Sequence, residues 1–362
     1  MPSIASITTN VLGRLVVRLK GGDDLVFPHP NGLVAKNYFI NGGFDFAQRS
    51  TATIASPASV GAYNTVDRWR NAYTGGTWTL APLVKREISS PNTKTKNSFR
   101  WQSNASVGGS GVNLFSTQRI ESHLARELVA AGTFSISVWV ASQSCTTLRC
   151  ELRYPGSEDN FTTPTVYSTT DKAVSNNGAW QLVKFENLPV HASAVNGLDV
   201  LLTFTNYAVL NVNADHYLAQ AMCNVGPKAQ DFVRHAPSLT GELAACQRYY
   251  EKSYNTDIAP ATTTDAGAVY AGGHTNISTA AFLYAFVRFA AHKRVAPTIT
   301  TYDVAGTSGR VSHISAGGVG TNNFVMNPGP DAPIAGGFAF AHDGGINSRA
   351  AVRFQWTAES EL

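Results

Sequence analysis

From Asn37 onward the chain is written in short runs whose apolar residues recur at every second position, each run closed by a cluster of Gly, Asn, Ser, Thr or Pro. In TFSISVWVA, Phe134, Ile136, Val138 and Val140 share one face, while Ser135, Ser137 and Trp139 take the other. A period of two is an extended strand with one buried side, and it leaves little room for helical structure. The same texture returns in LRCELRY, WQLVKFENLPV, LDVLLTFTNY and HYLAQAMCNV. Many short strands punctuated by turn residues predict an all-β chain built as an antiparallel β-sandwich, or jelly roll. No period of 20–50 residues recurs, which excludes propellers, solenoids and β-helices.

Two short helices interrupt the pattern. Good helix formers at apolar 3–4 spacing predict one over Ile120–Ala130. A second opens at Ser238, where Leu243, Cys246, Tyr249 and Tyr250 form a helical stripe. It serves as a connector, residues 237–254, between a jelly-roll domain at 37–236 and a smaller β-sandwich at 255–362. The final stretch sets Val352, Phe354 and Trp356 against Arg353, Gln355 and Thr357, the pattern of a half-buried last strand. Residues 1–36 stand apart as an arm: two short strands joined at Gly21-Gly22-Asp23-Asp24, then a Pro/Gly-rich linker. Two strands cannot bury enough surface alone, so the arm is expected to anchor the chain to a partner or to other copies of itself.

Charged residues make up only 14% of the chain, against roughly 25% in typical globular proteins. Gly, Ser, Thr, Asn and Ala fill the difference, which suits tight turns and surfaces covered by other subunits. A net charge of +4 forms no basic stripe, so nucleic acid is not an expected partner. No apolar run approaches the ~18–20 residues of a membrane span, and the N-terminus lacks the pattern of a signal peptide. Manufacture in a cytoplasm follows as an expectation. Cys145, Cys150, Cys223 and Cys246 fit no metal knuckle; the first two face a short turn and are either bridged or, like the others, buried thiols.

The chain contains no phosphate loop, dinucleotide fingerprint, nucleophile elbow or HExxH pair, and its histidines are isolated. Catalysis is therefore not expected, and no catalytic residue is assigned. Two acids invite a structural Ca²⁺ reading. Asp45 lies where the first sandwich begins and Asp215 where its last strand starts; first and last strands of a jelly roll meet, and oxygen ligands suit this ion. The competing reading makes Asp45 a turn cap and Asp215 a solvated surface residue. Beyond that possible ion no cofactor is expected. For a sugar-binding face, flat rings with hydrogen-bonding neighbours are required. Trp69, Tyr73 and Trp78, with Asn64 and Arg68 beside them, are the candidates, although a strand tryptophan also serves a core.

Three stretches together resemble a known family. Asn37, Asn41, Gly42, Phe44, Gln48 and Arg49, followed by Asp67-Arg68-Trp69, are similar to the opening of phage tail-fibre and head-fibre type virion proteins. YLAQAMCNVGPKAQDFVRH looks like the closing strand of that domain, although Met222-Cys223-Asn224-Val225-Gly226 lacks the glutamate relatives carry. GELAACQRYYEKSY is similar to the family's junction between two β domains. The resemblance spans about residues 37–362. It implies a carbohydrate-binding-module-like jelly roll, a small C-terminal β domain, a homotrimer within a virion, and attachment to other virion proteins through residues 1–36. Host-surface glycan binding is the leading functional expectation. A capsule depolymerase and a ligand-free decoration protein are the alternatives.

Overall fold

The computed structural model describes residues 4–9, 15–19, 24–27, 35–59, 61–78, 80–103, 107–108, 111–207, 213–272, 282–315, 320–325, 328–343 and 349–362. The chain divides into two compact units, Met1–Lys36 and Asn37–Leu362. The first is a three-stranded antiparallel meander of β1 (Ile4–Thr9), β2 (Leu15–Leu19) and β3 (Asp24–Phe27). β2 and β3 pair antiparallel, and the expected Gly21-Gly22-Asp23 turn between them lies outside the described residues. The arm has three strands rather than two, because IASITT is too polar on both faces to read as a strand without its partner.

The second unit opens with a sandwich. Its strands are β4 (Ile54–Ala55), β5 (Arg70–Thr74), β6 (Thr77–Trp78), β7 (Leu83–Glu87), β8 (Ser98–Gln102), β9 (Val107–Gly108), β10 (Asn113–Ile120), β11 (Thr133–Ser142), β12 (Cys145–Tyr154), β13 (Thr165–Ala173), β14 (Gln181–Pro189), β15 (Leu198–Tyr207) and β16 (Asp215–Val225). One sheet runs β13-β12-β15-β10-β5 and the other β14-β11-β16-β8-β7-β4, all antiparallel. Apart from β12–β13 and β7–β8, the neighbours are non-sequential, the mark of a jelly-roll weave.

The alternation does what it predicts. Phe134, Ile136, Val138 and Val140 from one sheet meet Leu148, Cys150 and Leu152, then Leu198, Val200, Leu202 and Phe204, from the other in a single core. All four cysteines are buried free thiols, so Cys145 and Cys150 are not bridged. Helix α1 (Ser122–Ala131) lays Leu124, Ala125 and Leu128 on the core. It stops at Gly132, whose left-handed φ of 76° lets its N–H reach back to Leu128 and Val129.

Helix α2 (Leu239–Gln247) is capped by Ser238, whose hydroxyl accepts from the Gly241 N–H. It is shorter than the apolar stripe implied. Tyr249 lies beyond its end and Tyr250 already opens β17 (Tyr250–Lys252), since both rings are claimed by arginines of the first sandwich. Strands β18 (Val269–Gly272), β19 (Phe282–Arg288), β20 (Thr298–Tyr302), β21 (Arg310–Ser315), β22 (Gly320–Val325), β23 (Pro328–Ile334), β24 (Gly337–Asp343) and β25 (Arg349–Glu359) complete the chain. β25 pairs with β17, β18, β20 and β21, and a separate core gathers Val311, Phe338, Phe340, Val352, Phe354 and Trp356. Bordered along both edges, β25 buries its polar face too: Gln355 is fully enclosed, accepting from Ser253 Oγ at 2.6 Å and donating to the Ala266 carbonyl at 2.9 Å. The expected half-exposed face survives only toward the strand's ends, at Arg353 and Glu359.

Candidate functional site

The residues that carry the family resemblance close on one another as a buried clasp. Asn37 holds the first segment to β16, donating to the Ala221 and Val233 carbonyls and accepting from the Cys223 N–H, each at 2.9 Å. Asn41, at φ 57°, donates to the carbonyls of Phe46 and Asp67. Gly42 has to be glycine, because a Cβ there would lie 2.2 Å from the Ala221 oxygen. Gln48 binds both Asp67 carboxylate oxygens and also donates to the Tyr250 carbonyl at 3.0 Å. Burial lifts the Asp67 carboxyl above its ordinary range, against the pull of Arg49.

Two arginines extend the clasp to the far end of the chain. Arg49 stacks 3.8 Å over Tyr250 and pairs with Glu359 at 2.8 Å. Arg68 stacks 3.5 Å over Tyr249, pairs with Glu361 and donates to the Arg119 carbonyl at 2.6 Å. Trp69 is fully buried between Phe39 and Phe44, its indole N–H on the Asn41 carbonyl.

Several sequence-nominated ligand contacts are therefore structural. Arg68 and Trp69 are consumed by the clasp. Tyr73 packs against the sandwich core, and Asn64 accepts from Asn71 within the 61–71 turn. Trp78 stands in β6, but its side chain lies outside the described residues. The Ca²⁺ reading is also corrected. Asp45 is held by Arg234 at 2.9 Å and Asp215 by Arg100 at 2.7 Å. The first segment meets β16 at Ala221, six residues from Asp215, which is roughly 20 Å along a strand. Among the described residues no three acidic, His or Cys side chains gather in a way that could hold an ion.

A different constellation occupies the solvent face of the five-stranded sheet. There the strand alternation turns Phe115, Thr117 and Arg119 of β10, Asp199 and Leu201 of β15, Arg153 of β12 and Arg70 of β5 outward. Register does the rest: Arg119 lies opposite Asp199, Asp199 opposite Arg153, and Arg70 opposite Thr117. Phe161, Thr162 and Pro164 from the loop after β12 wall one side and Ser59 and Gly61 another, enclosing a cleft of about 360 Å³.

The charges in this cleft are packed closely. The Asp199 side chain is 2% exposed, with Oδ1 4.0 Å from Arg119 Nε, and among the described residues neither atom has a hydrogen-bond partner. Burial pushes the Asp199 carboxyl up, while Arg119, Arg153 and Arg70 pull it down. Arg119 is lowered by its own burial; it donates to the Phe161 and Leu362 carbonyls and lies over the Phe161 ring at 5.0 Å. Arg153 is paired with Glu151. Arg70 donates to the Gly61 carbonyl at 3.1 Å, and Gly61 lies so close that a Cβ would meet the guanidinium at 3.0 Å. Three arginines against Asp199 and Glu151 leave one net positive charge. The outward parity of Arg119, Arg153 and Asp199 was visible in their strands; what brings them into one row is register across three strands, which no single strand states.

No family profile and no curated protein matches the chain. Among solved structures, it is similar to the enzymatically active domain of tailspike protein 4 from bacteriophage CBA120, at 14% identity and a TM-score of 0.30, covering 44% of this chain and 19% of that one. It is similar to TmCBM61, solved with β-1,4-galactotriose, at 12% identity and a TM-score of 0.32, covering 53% and 100%. The family 22 carbohydrate-binding module of Clostridium thermocellum Xyn10B gives 16% identity and a TM-score of 0.30, covering 49% and 99%. Likeness of this degree assigns no ligand.

Proposed function

We propose that this chain is a glycan-binding structural protein of a phage particle, and that it takes an acidic sugar in the arginine-lined cleft. The observation that carries the ligand is the in-register Arg119–Asp199–Arg153 row with Arg70 beside it, in a cleft that Phe115, Leu201 and Phe161 also line. A carboxylate-bearing sugar offers such a cleft both things it favours: an anion for guanidinium groups and hydroxyls for threonine and backbone partners. The cleft's volume suits one or two sugar residues. Asp199 is the acid among its lining residues, whereas glycoside hydrolysis ordinarily uses two carboxylates across the cleaved bond; binding without cleavage is the reading this favours. The virion role rests on the sequence resemblance, and the trimer and the anchoring by residues 1–36 are part of the same proposal. A trimer multiplies weak contacts by effective concentration, which suits a surface receptor.

Calorimetry against a uronic-acid oligosaccharide and its carboxyl-reduced counterpart tests the ligand. The acidic form should bind and the reduced form should bind at least roughly tenfold more weakly, the loss expected when a charge-assisted pair goes. Arg70→Ala combined with Arg153→Ala should abolish the difference. Equal binding of both forms by the wild-type chain would remove the basis for the assignment, and new reducing ends in the mixture would replace it with hydrolysis.

A further inference from the structure

The opposite sheet carries a second set of features that the arginine cleft does not explain. Its solvent face starts from Trp139 on β11, flanked in register by Leu182 on β14 and Ala219 on β16. Between this position and the Ser137/Met222 pair, β11 advances two residues while β16 advances three. The surplus residue of this bulge is Gln220, held at φ 50°, a left-handed conformation uncommon outside glycine. The bulge breaks the alternation of β16. Leu218, Ala221 and Cys223 stay in the core, and both Ala219 and Gln220 leave it.

The Gln220 amide thereby enters a recess of about 230 Å³, lined with Trp139, Leu182, Phe232, Asn92 and Gln230. It is fixed there before any ligand arrives, donating to Asn92 Oδ1 at 2.7 Å and to Thr95 Oγ1 at 3.3 Å, while Asn92 Nδ2 donates back at 3.3 Å. Two residues further along β11, about 7 Å away, Ala141 stands opposite Tyr217, whose ring is 5.8 Å from that of Trp180. Three half-buried rings and Leu182, which is 39% exposed, thus lie on the solvent side of one sheet. Two charge pairs flank them, Lys94 with Asp231 at 3.4 Å and Arg100 with Asp215 at 2.7 Å, and Lys184 of β14 stands exposed on the same face.

We propose that this face is a second carbohydrate site, taking a neutral linear oligosaccharide whose rings stack on Trp139 and on the Trp180–Tyr217 pair while its hydroxyls meet the amides of Asn92, Gln220 and Gln230. Flat rings beside groups that both donate and accept are what a sugar's apolar face and hydroxyl rim require. Asn92, Lys94, Ser137, Gln220, Gln230 and Asp231 make up most of the recess lining, unlike the apolar core of a protein–protein interface, which favours a hydroxyl-bearing occupant over a second copy of the chain. Bulged, left-handed residues persist where the surrounding structure enforces them, and they gather at functional sites. Each chain then carries two sites on opposite sheets, one for an acidic and one for a neutral sugar.

The test is calorimetry of the full chain against neutral β-1,4-glucan, β-1,4-xylan, β-1,4-galactan and α-1,6-glucan oligosaccharides. At least one should bind, and Trp139→Ala and Trp180→Ala should each weaken it by roughly tenfold or more, the loss typical of an aromatic anchor. Arg70→Ala/Arg153→Ala should leave it unchanged, so the two sites fail independently. Gln220→Gly relieves the strained φ while deleting the amide and its bonds to Asn92 and Thr95; it should lose binding while still unfolding cooperatively in urea. The proposal is overturned by silence across the panel, by unchanged binding in Trp139→Ala and Gln220→Gly, or by a Trp139→Ala change that appears only as altered self-association in sedimentation.

Discussion

Arg68 separates two readings of the same motif. As a ligand contact, its loss would cost binding and little else. As the centre of the clasp, its loss costs stability. Its side chain is 1% exposed and that of Glu361 is 6% exposed. Replacing Arg68 with Met keeps much of the volume over Tyr249 but strands a buried carboxylate, and breaking such a pair from one side ordinarily costs about 3–5 kcal/mol. Arg49 still stands 3.3 Å from Glu361, so the expected loss is at the lower end, about 3 kcal/mol. With a urea slope of about 3 kcal/mol per M, the midpoint should fall by about 1 M. Glu361→Gln alone should cost a comparable amount, and the double variant should recover about 2 kcal/mol of the summed losses, as expected for directly paired residues. Throughout, the folded variants should still bind the acidic sugar. A wild-type urea midpoint for Arg68→Met, accompanied by lost sugar binding, would refute the clasp and return Arg68 to the ligand.

Three further outcomes follow from the geometry. His216 is fully buried against Ser142 and Ser144, and burial lowers its pKa from 6.5 to about 3, so the native state keeps it neutral while the unfolded chain protonates below about pH 6.5. Stability should be intact above that pH and fall as the pH drops toward 3, by about 2 kcal/mol at pH 5; urea titrations at pH 7.5 and 5.0 should show this loss in the wild type and its absence in His216→Gln. Gly42→Ala should destabilise by about 1–3 kcal/mol, because backbone rather than a movable side chain blocks the new methyl; an unchanged melting midpoint would contradict the close approach to Ala221. On the proposed anchoring role, removing residues 1–36 should convert the proposed trimer to a monomer in light scattering and abolish particle decoration, and a truncated chain that still decorates particles would end that proposal.

The local rule of the sequence was enough for the long strands of the first sandwich and for its inner core. Period-two alternation in 133–142, 145–154 and 198–207 specifies which side chains face inward whatever the strands later pair with, because pleat alone sends neighbours to opposite sides. The capped helix at 239–247 was legible for the same local reason, up to the point where Tyr249 and Tyr250 are drawn away by Arg68 and Arg49 of the other sandwich. Function was less legible. Arg68 and Trp69 look like a binding pair because nothing in their neighbourhood reveals partners nearly 300 residues away in Glu361. Trp139 was already assigned to the outer face by its own strand, but its companions Gln220, Phe232 and Asn92 arrive from three other segments, one of them only through a bulge. Arg119, Asp199 and Arg153 become neighbours by the register of β10, β15 and β12. Facing is a property of one strand, and the sequence alone determined it here; adjacency is a property of pairing between strands, which only the tertiary structure decided.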